Sequence, residues 1–260
     1  MLLAGKVIIV TGVGPGMGSK LCRVAAAEGA AVAVSARSAE YVGRIVDQIR
    51  GDGGQAIGVP TDVSDEQQCL NLTQATLAEF GRIDGLVNSA RARSPHRTLE
   101  ETDLTTWPQV MDVTCLGALR MSLAVLPAMK ARHNGAIVNV GTIATVRPSV
   151  GEADYMVAKA GLGGLSRQMA TEFGQYNVRV NHARMGWLWG ASIEKYLTKQ
   201  AERQRRSVEE LKVEVAAQIP LGLIPPDDEC AKSVLFLVSD YARMVTGATL
   251  DINGGMYMPP

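Results

Sequence analysis

The stretch Lys6-Val7-Ile8-Ile9-Val10-Thr11-Gly12-Val13-Gly14-Pro15-Gly16-Met17-Gly18-Ser19 decides how the rest of the chain is read. Its first half is a β-branched apolar run and predicts a strand over 6–11. Its second half is glycine-rich, and Leu21, Cys22, Val24 and Ala25 then recur at helical spacing over 19–29. A strand, a glycine turn and a helix in that order bring free backbone N–H groups and the positive end of a helix to one point. That point favours a phosphate, and glycines let the backbone approach it closely. The spacing is Thr-Gly-x-x-x-Gly-x-Gly rather than Gly-x-Gly-x-x-Gly, because position 17 is Met. A plain tight turn can look the same, but its place in the first strand–helix unit favours a dinucleotide.

Working outward, the same alternation repeats along the chain. Strands are expected at 31–36, 55–60, 83–87, 136–141, 177–182 and 248–252. Helices are expected after Ser38, after Ser64 or Asp65, over 107–132 with a bend at Pro127, over 154–174 and over 227–239. Residues 91–102 read as a polar loop, and 191–217 as a charged amphipathic helical region whose Arg203, Arg205 and Arg206 suit a solvated face. Strands alternating with helices throughout predict an α/β fold, a single domain over 1–260. Its sheet is Rossmann-like, doubly wound and parallel, with helices on both faces.

Composition narrows the function. Lys+Arg and Asp+Glu both total 26, so the chain lacks the basic excess that nucleic acid or an acidic membrane surface would favour. No apolar run reads as long enough to span a bilayer, and the first strand starts without a signal-like leader, so a cytoplasmic location is expected. Cys22, Cys69, Cys115 and Cys230 are scattered without a Cys-x-x-Cys pair and read as reduced core thiols. His96, His133 and His182 show no ligand spacing, so no metal site is expected.

A second chemical signal lies at Tyr155-Met156-Val157-Ala158-Lys159. In a helix this sets a phenol and an ammonium one turn apart on one face. Free tyrosine titrates near pH 10, and a neighbouring cation brings the phenolate within reach of neutral pH. Thr142, at the carboxyl end of the strand over 136–141, would present a hydroxyl to this pair. The three together suit proton transfer to or from a reacting oxygen.

The glycine spacing, followed by Asp62-Val63, Asn88-Ser89-Ala90, Tyr155-x-x-x-Lys159 and Asn181, resembles the short-chain dehydrogenase/reductase family over essentially the whole chain. The resemblance implies a nicotinamide cofactor. Thr11, Gly12, Gly14, Gly16, Met17 and Gly18 would form the pyrophosphate turn. Asp62 and Val63 would lie at the adenine, with Asn88, Ser89 and Ala90 beyond the fourth strand and Met185 and Gly186 beyond the sixth. Lys159 would also hold the nicotinamide ribose, and Tyr155 would exchange the proton with Thr142 polarising the carbonyl. A homotetramer or homodimer, formed through the helices over 107–132 and 154–174, is also implied. At the end of the second strand Ala36-Arg37 replaces the acidic residue that would take the ribose hydroxyls of NAD(H), so NADP(H) is favoured and NAD(H) is the alternative. Arg37 packed over the adenine would suit either.

Several positions depart from the family pattern. Thr114 stands where the family often has the Asn of a proton relay, and Arg91 where glycine is usual. Met185 precedes Gly186 in place of Pro, and Gly190 replaces a Thr. Arg91 either faces solvent or leans toward substrate. Trp187 and Trp189 either wall the substrate or pack a lid expected over 185–219; Arg147 is a further substrate candidate. The leading expectation is hydride transfer to or from a hydrophobic secondary alcohol or ketone. A 3-oxoacyl thioester reductase is the alternative, although Thr171 stands where carrier-dependent reductases often have a basic residue. A nucleotide-binding regulator with little catalysis is the reading from another class.

Overall fold

In the computed structural model, which describes residues 1–93 and 96–259, each strand divides its side chains between two helical layers. The strands are β1 (Val7–Thr11), β2 (Ala31–Ser35), β3 (Gln55–Gly58), β4 (Gly85–Asn88), β5 (Gly135–Thr142), β6 (Val178–Met185) and β7 (Thr249–Ile252). They form one parallel sheet in the order β3-β2-β1-β4-β5-β6-β7. The main helices are α1 (Met17–Ala27), α2 (Ala39–Gly51), α3 (Glu66–Phe80), α4 (Trp107–Met111), α5 (Gly117–Ala131), α6 (Ala153–Phe173), α7 (Ala191–Gln204), α8 (Val208–Ala216) and α9 (Asp227–Val238).

Successive strand residues point to opposite faces. Ile8, Val10, Val32, Val34 and Val138 share one core with Leu21, Val42, Ile45 and Val234, from α1, α2 and α9. Ile9, Ala33, Leu86, Ile137 and Val180 share the other with Leu72, Met121, Val125 and Phe173, from α3, α5 and α6. Both faces are covered, so the strands read as unbroken apolar runs. The strand order reverses between β1 and β4, which opens a crevice at their carboxyl ends.

At those ends the second face changes character. Ser35, Thr11, Asn88, Asn139 and His182 stand in register across β2, β1, β4, β5 and β6, forming a buried polar row. Asn88 donates to Asn139 at 2.9 Å, and Asn139 donates to Ser166 of α6 at 2.9 Å. Among the described residues, the Thr11 and Ser35 hydroxyls, the Asn88 carbonyl oxygen and the His182 Nε2 of this row have no partner.

The structure refines four expectations. The helix expected over 107–132 is present as a continuous helical run, with a π-turn, Asp112–Leu116, inserted between α4 and α5. The run Leu104–Ala131, with mean hydropathy 1.5, is long and apolar enough to cross a membrane, contrary to the composition reading. However, Val110, Met121, Val125 and Met129 within it are fully or almost fully buried against the rest of the fold. The region 191–217 is two helices, because Arg205 takes a left-handed turn (φ 52°) and a Ser207–Glu210 capping box then starts α8. Finally β6 runs three residues past His182, so Met185 lies at the end of the strand rather than beyond it, buried in the first core. The loop expected over 91–102 includes Ser94 and Pro95, which lie outside the described residues.

Candidate active site

At the crevice the glycine turn presses against the residues after β4. Gly12 has φ 71°, and a Cβ there would overlap the backbone of Ser89 and Ala90. A Cβ on Gly18 would stand 2.6 Å from the Gly12 carbonyl oxygen. These two positions therefore need glycine, for the turn and for the close packing of α1. Gly14 has open space around it and is not so constrained, and a Cβ on Gly16 would approach Ser192 Oγ to 3.2 Å. Met17 opens α1 and packs on the first core. Beside the turn lie the unpartnered Thr11 and Ser35 hydroxyls and the Asn88 carbonyl oxygen. A turn with no room for a side chain at Gly12 or Gly18, opening onto a helix N-terminus, fits a dinucleotide laid across the switch point.

Farther along, Asp62 accepts from the backbone and hydroxyl of Ser64 at 2.9 and 2.6 Å. The Ser64 hydroxyl bond and, more weakly, the charge of Arg37 hold its carboxyl below the usual range. Arg37 is exposed just past β2 and faces Asp62 closely enough to feel it. Val63 packs against Gly117 at the start of α5, so its side chain belongs to the scaffold. Asn181 clamps the turn before β7, donating to Val245 O at 2.8 Å and accepting from Ala248 N–H at 3.1 Å.

The catalytic candidates converge where β5 meets α6. Tyr155 and Lys159 share a face in the first turns of α6, with the Lys159 Nζ 5.9 Å from the Tyr155 ring centroid. Thr142 accepts from Ala144 N–H at 3.2 Å, and its hydroxyl is near enough to Tyr155 to favour the phenolate slightly. Burial pushes the Tyr155 phenol above its ordinary value, while Arg91 and Thr142 pull it down. Lys159 is buried, donates to the Val140 carbonyl and is lowered to about 7, first by burial and then by Arg91. The site thus holds a phenol, a hydroxyl and an amine near neutrality, which suits proton exchange.

Thr114 lies inside the π-turn, with its hydroxyl 3.2 Å from Ala92 N–H, which it accepts. It therefore ties the loop after β4 to the π-turn between α4 and α5. Arg91 leans inward: its guanidinium carbon is 5.8 Å from the Tyr155 ring centroid. Gly186 lies against Asn253, which leaves no room for a Cβ. A Cβ on Gly190 would overlap the carboxylate of Asp227, which explains why a larger residue is missing there.

Other expected substrate residues are held elsewhere. Trp187 and Trp189 pack on the α7–α8 cluster of Leu197, Leu211 and Ile224. Trp187 meets Tyr196 at 5.8 Å, and Lys212 lies 4.5 Å over Trp189. Arg147 donates to the Met256 carbonyl at 2.7 Å. Ser35, Asn139, Ser166 and His182 do not stand out in the sequence, because their common row is a product of strand register. Ser192 is a further addition, although its place at the start of α7 was a signal. Among the described residues no three His, Cys, Asp or Glu side chains gather as a metal site would need.

A family model described as enoyl-(acyl carrier protein) reductase matches residues 12–257. The chain belongs to the short-chain dehydrogenase/reductase family. Within that family it is 31% identical to the 3-oxoacyl-(acyl-carrier-protein) reductase FabG of Escherichia coli K12, over 99% of this chain and 100% of the relative. It is 33% identical to the cis-4-hydroxycyclohexanecarboxylate dehydrogenase of Sinomonas cyclohexanicum, over 97% and 96%. A crystal structure of a variant actinorhodin polyketide ketoreductase with NADPH superposes with a TM-score of 0.88 at 28% identity, covering 96% of this chain and 97% of that one. This short-chain dehydrogenase/reductase is therefore an oxidoreductase that uses a nicotinamide cofactor.

Proposed function

We propose that the chain interconverts a ketone and its secondary alcohol, with NADP(H) as hydride partner and Tyr155 as general acid/base. The observation that carries this reading is the assembly of Tyr155, Thr142 and Lys159 at the mouth of the crevice. The bound nicotinamide would supply or accept the hydride at the carbonyl carbon. Tyr155 would give the carbonyl oxygen its proton in reduction and remove it in oxidation, with Thr142 donating a second hydrogen bond to that oxygen. Lys159, buried beside the phenol, would stabilise the phenolate when charged. Gly12, Gly16 and Gly18 would hold the pyrophosphate, and Asp62 the adenine.

NADP(H) is favoured because Arg37 is exposed at the end of β2, where a guanidinium can pair with a 2′-phosphate. The polyketide ketoreductase, whose crystal structure holds NADPH, agrees with this choice. The helices α7 and α8 would act as a lid over the substrate. Exposed Leu116 and Leu123 near and within α5, and Val157 on α6, would join subunits of a homo-oligomer.

The relatives support a second reading, reduction of a 3-oxoacyl thioester, through the similarity to FabG. The cyclohexanecarboxylate relative instead supports a free hydroxy or keto substrate, consistent with the leading one. The deciding experiment follows NADPH and NADH absorbance against ketones, secondary alcohols and 3-oxoacyl thioesters. Turnover of ketones and alcohols is expected; turnover of thioesters alone would replace the leading reading. Arg37→Asp should reverse the preference for NADPH by about tenfold or more, and an unchanged preference would remove Arg37 from cofactor choice.

A further inference from the structure

Arg91 is the departure that the reaction described so far does not use as a binding group. Its backbone is fixed on both sides. Ala90 lies against Gly12, and Ala92 N–H donates to Thr114. The side chain is exposed, yet the guanidinium lies 5.8 Å from the Tyr155 ring centroid. Among the described residues no carboxylate lies within ion-pair distance of it. Glu152, whose charge also acts on Tyr155, accepts from Ser149 at 2.8 Å, and Arg147 donates to the Met256 carbonyl. A solvent-facing guanidinium with free N–H groups therefore stands over the phenol. Its charge is felt by both Tyr155 and Lys159.

A planar guanidinium binds a carboxylate by two parallel hydrogen bonds, which a neutral ester or thioester cannot match. The guanidinium carbon is 5.8 Å from the Tyr155 ring centroid, so a group bound by Arg91 is within reach of a small substrate held at the phenol. We propose that Arg91 binds a carboxylate on the substrate, so that the chain acts on keto acids and hydroxy acids whose carboxylate lies a few bonds from the reacting carbon. This rests on the oxidoreductase reading above and names its substrate class. Arg91 is then a specificity residue, and Tyr155 and Thr142 remain the groups that meet the reacting oxygen.

The test compares 4-oxopentanoate and 5-oxohexanoate with their methyl esters, using NADPH, for the wild type, Arg91→Lys and Arg91→Met. In the wild type the acid should exceed its ester in kcat/KM by about tenfold or more, mainly through KM. In Arg91→Met the acid-to-ester ratio should fall to about one, and in Arg91→Lys it should be intermediate, since a point charge lacks the fork. A wild-type ratio near one, or a ratio unchanged in Arg91→Met, overturns the inference while ketone turnover keeps the oxidoreductase reading. If no ketone is turned over, that reading fails. Calorimetry of 5-oxohexanoate binding to the protein with NADPH then decides the inference alone. Binding lost in Arg91→Met supports it, and no binding, or binding that survives the substitution, overturns it.

Discussion

On the nucleotide side of the crevice the shape is set by backbone, and on the substrate side by side chains. Gly12 and Gly18 are pressed against main chain at Ala90 and Gly12 itself. Across the crevice, Arg91, Thr114 and Thr142 project from three different segments, and Trp187 and Trp189 turn into the α7–α8 cluster. Backbone contacts leave little freedom for substitution, whereas side chains can change identity without moving the scaffold. The family pattern is accordingly intact at Gly12, Gly16 and Gly18 of the turn and altered at 91, 114, 185 and 190. The contrast implies that damage on the two sides will differ in kind.

The largest expected effect is at Tyr155. Replacing it with Phe keeps the ring that Arg91 covers and removes the proton. Turnover should fall by about a thousandfold, within the range for loss of a positioned acid or base. NADPH should still bind, as read by quenching of tryptophan fluorescence. Full turnover would remove Tyr155 from the chemistry. Loss of NADPH binding instead of turnover would show that the two sides are not separable.

Next in size is a matched pair on the nucleotide side. Gly12→Ala forces a side chain into a left-handed backbone and onto Ala90, and should lower the melting temperature by several degrees, about 2–4 °C per kcal/mol in a chain of this size. NADPH binding should weaken with it. Gly14→Ala meets open space and should change neither measurably. Equal effects from the two would mean that glycine content, rather than contact, shapes the turn.

Much of this architecture is legible in the sequence, and the reasons are local. Val7 to Thr11 reads as a strand because both of its faces are buried, so no polar residue interrupts it. Tyr155 and Lys159 read as a pair because four residues make about one helical turn. What escapes depends on partners distant in sequence. The π-turn at Asp112–Leu116 hardly disturbs helical periodicity, so the pattern predicts a continuous helix. Arg184 makes β6 seem to stop early; it is tolerated in a strand because Asp251 of β7 pairs with it through two bonds of 2.6 and 2.7 Å. Trp187 and Trp189 are ambiguous because an apolar ring serves a lid or a substrate equally well.

The smallest effect concerns the end of the polar row. His182 is buried between Gly141 of β5 and Gly163 of α6, and a Cβ at Gly141 would overlap its ring. Burial, and then the charge of Lys159, lower it from 6.5 to about 4. The unfolded chain therefore takes up this proton as pH falls below 6.5, while the folded chain resists until about 4. Its contribution to stability is full above 6.5 and is lost as pH falls toward and through 4, by at most about 1.4 kcal/mol per pH unit. Urea midpoints of the wild type should fall across that window more steeply than those of His182→Leu, which cannot titrate. Leucine lacks the ring, so the neutral-pH midpoint also shifts; the difference in slope is the readout. Parallel curves would show that the His182 ring finds a proton partner in the folded state, and that the polar row is as tightly satisfied beneath the substrate side as the backbone is around Gly12.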